Sequence, residues 1–263
     1  QIHLRLKSSK TRIVITEVFS PERKNFCCKQ TWRGPMPTTN VSGNQTTVTE
    51  NQSNYGRYAA STATAATGDI NITTDELEIS ASASASNGGG TSSSNIATAH
   101  SLKDANLWHS GTKTNLQATA YGHTSNAYGS LNSQIHLTNE EGSNLQIRST
   151  STTRGLDPAF GLSSSTVETS DGNDTISIKA KSQNDRAGNG TISLESTGLK
   201  NSFLNTGGGD DTIKINAENQ YNNYYGHYLA SSNTLGLSGG NINAGTGDDK
   251  ITITAKGGLI NTA

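Results

Sequence analysis

The chain is short of the residues that most compact proteins use to build a core. Only 30% of its 263 residues are hydrophobic and 5% aromatic, which excludes a thick core of large side chains. Two cysteines cannot make a disulfide framework, and Cys27 and Cys28 stand side by side, so no zinc spacing exists. Bonding neighbouring cysteines to each other strains the peptide between them, which leaves two idle thiols or links to another chain. No apolar run approaches the roughly 18 residues that a membrane-spanning helix requires. Charged residues make up 16% of the chain and nearly cancel, at net −1, which argues against nucleic acid as a partner. The six histidines show no metal spacing, and no nucleophile–base pair or phosphate-cradling glycine loop stands out.

What is present is small and polar: 28 glycines, with Ser, Thr and Asn abundant throughout. Such a composition suits the outside of a cell, so the expectation is a secreted or cell-surface protein. Gln1 reads as a mature N-terminus left by processing. The charge is unevenly placed. Residues 1–34 hold eight Lys/Arg against two acids, and the remainder holds 12 against 19. A basic head on an acidic body can bind its own body or a neighbour's.

The C-terminal half aligns on itself. GLSSSTVETSDGNDTISIKA (161–180), GLKNSFLNTGGGDDTIKINA (198–217) and GLSGGNINAGTGDDKITITA (236–255) match without a gap. Each reads Gly-Leu, a short strand, a Gly/Asp corner, then an alternating apolar strand ending in Ala. Weaker copies lie at 130–149, 101–120 and 67–81. Taking Leu77, Leu116, Leu145, Ile176, Ile213 and Ile251 as equivalent gives spacings of 39, 29, 31, 37 and 38. A further strand is expected at 190–196, inside the variable excursion between copies. "GGLINTA" at 257–263 reads as the start of another copy.

A period of 29–39 residues, with short alternating strands and no helical pattern, predicts an all-β, right-handed parallel β-helix: a solenoid of six to seven coils. One coil cannot bury its inner residues alone; stacking buries a continuous ladder. A β-sandwich would not explain the same turn and strand recurring in register. Residues 46–263 form this expected solenoid. Residues 1–45 divide into an alternating strand pair and a segment containing both cysteines and three of the four prolines, read as a cap or assembly arm.

The corners carry the candidate chemistry. TGGGDDTIK (206–214) and AGTGDDKIT (244–252) resemble the calcium-binding nonapeptide of the RTX, or haemolysin-type, repeats of secreted bacterial proteins. Thr206 and Ala244 replace that pattern's first glycine, and TSDGNDTIS (169–177) keeps Gly172, Asp174 and Ile176. The resemblance covers three nonapeptides, a small part of the chain. It implies a Ca2+ site in which carboxylate and backbone oxygens are ligands. The candidates are Asp171, Asn173, Asp174, Asp210, Asp211, Asp248 and Asp249, with the turn glycines Gly209 and Gly247. Family nonapeptides run in tandem, whereas these corners lie some 37 residues apart, so a site here needs stacked coils to bring them together. Asp174, Asp211 and Asp249 share one repeat position, Asp210 and Asp248 align with Asn173, and Asp171 lies two residues earlier. Stacked carboxylates repel by about 1 kcal/mol per pair in water and more at a protein surface, which is a reason for a cation. The alternative is that the aspartates accept backbone N–H groups at a tight corner that glycine makes possible.

Three functions follow as expectations. The first is a non-enzymatic structural subunit, calcium-stabilised, that stacks head-to-tail with itself in a fibre, sheath or matrix filament or serves as an adhesin toward a polysaccharide or cell surface. The second is a polysaccharide-active enzyme similar to the pectate-lyase-like β-helices. The third is an ice- or carbohydrate-binding solenoid, suggested by Thr-x-Thr spacing; separately, Tyr221, Tyr224, Tyr225 and Tyr228 are candidates for a surface that binds sugar or a neighbouring subunit.

Overall fold

The computed structural model describes residues 12–15, 39–41, 45–55, 59–86, 95–184, 191–222 and 228–260. Cys27, Cys28 and most of the basic head and cap lie outside the described residues. Every described strand pairs parallel, and the strands form three stacks wound about one axis: a parallel β-solenoid.

The first stack contains Arg12–Ile15, Gln45–Tyr55, Glu76–Ser86, the first halves of Lys113–Leu131 and Asn144–Ser163, then Thr175–Asn184, Thr212–Asn222 and Lys250–Ile260. Arg12, Gln45, Glu76, Lys113, Asn144, Thr175, Thr212 and Lys250 share one register position, so successive coils measure 33, 31, 37, 31, 31, 37 and 38 residues. The second stack joins the starts of Ala60–Ile72 and Ile96–His109 to the ends of Lys113–Leu131 and Asn144–Ser163, then Thr191–Lys200 and Tyr228–Ser238. The strand expected in the 190–196 excursion is therefore present. The third stack is short-stranded: Thr39–Val41, the ends of Ala60–Ile72 and Ile96–His109, then Gln134–Leu137, Thr166–Thr169, Phe203–Asn205 and Asn241–Asn243.

Alternation puts every second side chain inside. Two inward columns of the first stack run Leu77, Thr114, Leu145, Ile176, Ile213 and Ile79, Leu116, Ile147, Ile178, Ile215, all buried. They meet Ile70, Leu107, Ile135, Val167 and Leu204 of the third stack and Leu102, Leu162 and Leu199 of the second in one continuous core. Where the first and second stacks converge there is less room, and the columns turn to alanine: Ala81, Ala83, Ala118 and Ala120 face Ala63, Ala99 and Ala127. Small side chains are thus what a narrow solenoid needs, and the low hydrophobic fraction is a consequence of geometry.

The repeat glycines have a packing reason. Gly129, Gly161 and Gly198 stack under the isoleucine column of the first stack. A Cβ on Gly198 would lie 2.2 Å from Ile215 Cγ2 and 2.6 Å from the Gly236 carbonyl oxygen.

Three sequence expectations are corrected. Leu116 is not the equivalent of Leu77: Thr114 takes that position, and Leu116 pairs with Ile79 and Ile147. The spacings of 39 and 29 become 37 and 31. Thr114 is tolerated in an apolar column because its hydroxyl meets His109 Nδ1 at 2.7 Å. The closing "GGLI" starts no new coil: Gly257 to Ile260 extend a first-stack strand opposite Asn219 to Asn222. Tyr221 belongs to no binding surface; it is 1% exposed and packs on Leu194. Tyr224 and Tyr225 lie outside the described residues.

Candidate functional site

The Gly/Asp corner lies between the third and first stacks, and stacking does bring its aspartates into columns. Asp174 and Asp211 are each 1% exposed, and Asp249 is half-buried. Each carboxylate serves the coil before it. The N–H groups of Ser143, Asp174 and Asp211 donate to Oδ1 of Asp174, Asp211 and Asp249 at 2.5, 2.8 and 3.0 Å. The exposed column runs the opposite way. Gly208 N–H donates to Asp171 Oδ1 at 3.0 Å, Asp210 N–H to Asn173 Oδ1 at 2.9 Å and Asp248 N–H to Asp210 Oδ1 at 2.9 Å. The two columns therefore staple each corner to the coils on both sides.

Gly209 and Gly247 make the corner possible. Their φ values are +121° and +140°, and a Cβ would lie 2.4 Å from the Gly172 carbonyl oxygen and 2.0 Å from that of Gly209. Both positions are closed to a side chain on two grounds. Their contribution is backbone shape and the hydrogen bond from Gly209 N–H to the Thr246 carbonyl, 2.8 Å.

The carboxylates differ in what completes them. Asp174 Oδ2 accepts from the Thr169 hydroxyl, which also reaches the Thr206 carbonyl at 3.0 Å. Burial raises its pKa; the Thr169 and Ser143 hydrogen bonds oppose the shift, and the nearby Asp211 charge adds to it. One coil on, the Thr206 hydroxyl turns to the Ala244 carbonyl at 3.2 Å, and Asp211 Oδ2 is left buried with no hydrogen-bond partner.

Do these residues fit calcium? The ion takes six to eight oxygens. Most inward oxygens here are already used by backbone N–H groups, and among the described residues no three His, Cys, Asp or Glu converge as a metal site. Asp211 Oδ2 and the carboxylate oxygens not engaged in the exposed column are what the corner could still offer.

A second corner, between the second and third stacks, escapes a reading of the sequence. Asn132, Ser164 and Asn201 take positive φ of 50°, 50° and 49°, and the following serines point inward. Ala105 N–H donates to Ser133 Oγ at 3.1 Å, Ser133 N–H to Ser165 Oγ at 3.3 Å and Ser165 N–H to Ser202 Oγ at 3.2 Å. Each hydroxyl donates back within its own coil, to Leu131, Ser163 and Lys200 carbonyls at 2.8, 2.9 and 2.8 Å. The available signal is the serine two residues past the end of each Gly-Leu strand, hidden among many other serines. Beside this corner an open depression of about 510 Å³ is lined by Asp69, Asp104, Asn106, Asn132 and Gln134.

Other ionisable groups are absorbed by the fold. His109 is fully buried, and its second ring nitrogen meets the Thr74 carbonyl at 2.7 Å. Burial holds its pKa below the usual value against the Thr74 hydrogen bond and the Asp75 charge. Burial, aided by the Lys103 charge, takes His100 down to about 4 against the Asp104 charge. Asp157 faces the core among Ser125, Ser151 and Ser182; its Oδ2 has no hydrogen-bond partner, and burial raises its pKa well above the carboxylate range against three hydrogen bonds. On the outside of the third stack, Trp108 stacks on His136 at 3.9 Å, and His136 Nδ1 meets Glu168 at 3.1 Å.

No family model matches the chain, and no curated protein or solved structure matches it. The likeness to RTX nonapeptides therefore rests on the corner residues alone. Among the described residues no helix is long and apolar enough to cross a membrane.

Proposed function

We propose that the chain is a non-enzymatic structural protein of the cell exterior, a β-solenoid subunit that stacks head-to-tail on its own copies in a fibre, sheath or matrix filament, or presents its faces as an adhesin. One observation supports this most: at two corners of the later coils, one coil completes the hydrogen bonding of its neighbour through side chains at fixed repeat positions. Polar chemistry is spent between coils, and what one coil presents to the next is nearly constant. A coil from a second copy then needs no new kind of contact to add to the stack. Ile251 and Ile253 continue the two inward columns of the first stack and are each 46% exposed, so a further coil, of this chain or of a second copy, would meet there the apolar surface that Ile213 and Ile215 offer. A heterologous contact of this kind does not close, so it propagates.

Sedimentation and electron microscopy of the full chain test the reading. Concentration-dependent linear polymers are expected, and Ile251→Glu with Ile253→Glu should leave monomers. A monomer at every concentration, unaffected by the substitutions, would refute it.

Calcium at the aspartate corner is a second reading, favoured by Asp211 Oδ2, a buried carboxylate oxygen without a partner. Bound there, the ion would supply charge compensation for the stacked carboxylates. Asp211→Asn separates the readings, since an amide oxygen can still accept Asp174 N–H. With calcium bound, the substitution should abolish the melting difference between calcium and chelator. If melting never responds to calcium, the corner is held by its N–H bonds alone.

A further inference from the structure

We infer that the outer surface of the first stack, over its last four strands, is a binding face for an acidic polysaccharide of the polyuronate type. The chain as a whole carries net charge −1, yet this surface does not share that balance. Alternation points Arg148, Lys179, Lys181, Lys214, Lys250 and Lys256 outward on Asn144–Ser163, Thr175–Asn184, Thr212–Asn222 and Lys250–Ile260, with Glu218 the one acid among them. That is a surplus of five positive charges on four adjacent strands. Lys179 and Glu218 form the one ion pair on this surface, at 3.5 Å; among the described residues none of the other five cations has a carboxylate within 4 Å. Arg148 and Lys179 are register partners, so their backbones stand one strand spacing apart, about 4.8 Å. Adjacent like charges weaken a sheet. The inner aspartates Asp174 and Asp211 are turned into the corner and serve N–H groups, and the exposed Asp171, Asp210 and Asp248 stand along the corner, at the edge of the face.

The rest of the surface chooses the occupant. Every other outward position whose side chain is described on the first-stack segments 144–153, 175–184, 212–222 and 250–257 is Thr, Ser, Asn or Gln. Among the described side chains of this surface, no apolar one points outward to enter a lipid surface. No aromatic ring is available to stack a base, which single-stranded nucleic acid sites use. The surface is the outer side of a parallel sheet, and among the described residues no helix or ribbon stands out from it to enter a duplex groove. Cations spread over a field of hydroxyls and carboxamides match a chain of sugar hydroxyls carrying a regular carboxylate. From Lys250 to Lys256 the field is about 20 Å wide, and four strands give it about 14 Å in the other direction, room for several sugar units. This adds a ligand to the proposed scaffold and does not depend on self-assembly, because a monomer carries the whole face.

The test uses the full chain, with chelator present so that calcium cannot bridge. Polygalacturonate is the probe, dextran the neutral control, and calorimetry or affinity electrophoresis the readout at low and high salt. Binding to polygalacturonate that weakens with salt, and none to dextran, is expected. Lys179→Glu with Lys214→Glu should weaken it at least about tenfold, whereas Lys179→Arg with Lys214→Arg should retain it. A circular dichroism spectrum unchanged in both variants ties the loss to the face. Failure to bind at low salt, equal binding by the charge-reversed variant, or tighter binding to duplex DNA or anionic vesicles would each overturn the inference. Failure of polymerisation would leave it standing.

Discussion

Gly198→Ala puts the packing argument to its sharpest test. The new methyl carbon would lie 2.2 Å from Ile215 Cγ2. Carbon atoms pack at about 3.5–4.0 Å, so the gap is short by about 1.5 Å. The Ile215 side chain cannot swing away, because its β-branched rotamer is confined between Ile178 and Ile253 in the same column. The Gly236 carbonyl, 2.6 Å off on the other side, blocks retreat by the backbone. Overpacking of this kind costs about 1–3 kcal/mol. Ile215→Ala alone should cost about 2–5 kcal/mol as a cavity. In the double variant the methyl group introduced at position 198 occupies part of the space that Cγ2 vacated, so the two penalties should not add. Urea denaturation of the four proteins should give a favourable coupling of at least about 1 kcal/mol. Additivity within about 0.5 kcal/mol would show that the two residues do not meet, and the account of the repeat glycines would fail.

Other substitutions read the buried polar groups. Ser165→Ala removes the acceptor for Ser133 N–H deep in the second corner and should cost about 1–3 kcal/mol in chemical denaturation, with no change in surface properties. Asp157 has a folded pKa raised by burial, so its contribution to stability is full below about pH 4 and is lost as pH rises through the folded value. Asp157→Asn should therefore stabilise the protein at neutral pH and flatten that part of the stability profile measured by thermal melts. His109 behaves with the opposite sign: its pKa is lowered in the fold, so stability is present above about pH 6.5 and falls as the medium is acidified below it. His109→Gln should remove that acid-side slope, which a denaturation series from about pH 7 to about pH 5 would detect.

How much of this is legible in the sequence follows from what a repeat can and cannot announce. Ile176, Ile213 and Ile251 stand in closely similar local contexts, and that similarity identifies the correct column. Leu116 misleads because its coil departs from the pattern twice at once. His109 and Thr114 there replace two apolar positions with a hydrogen-bonded pair, and the nearest leucine then passes for the missing member. A compensated double change of this sort leaves no apolar trace to count. The aspartate columns are visible because Asp beside Gly is rare enough to align. The serine column is not, since serine recurs everywhere in this chain and only the positive φ of Asn132, Ser164 and Asn201 singles out the ones that matter. The basic face is hidden for another reason. Its six cations are spread from Arg148 to Lys256 and look balanced by nearby acids until the fold separates them.

That separation links the corner to the face. In sequence Asp210 and Asp211 precede Lys214, and Asp248 and Asp249 precede Lys250, so at each corner the lysine charge looks more than cancelled by its neighbours. In the solenoid Asp174 and Asp211 turn inward and Asp249 is half-buried, while the exposed Asp171 and Asp210 accept N–H groups of the next coil along the corner. The lysines instead follow the alternation of the strand onto the outer surface. Because coils are added in register, each repetition lengthens an acidic edge and widens a basic sheet beside it. A single coil could build neither, because its few outward residues on this face hold only one or two cations. The pairing of a Gly/Asp corner with a Lys-bearing strand is thus a charge-sorting device. Whatever neutralises the edge, whether backbone N–H groups alone or a cation with them, leaves the sheet's positive charge free to face a partner.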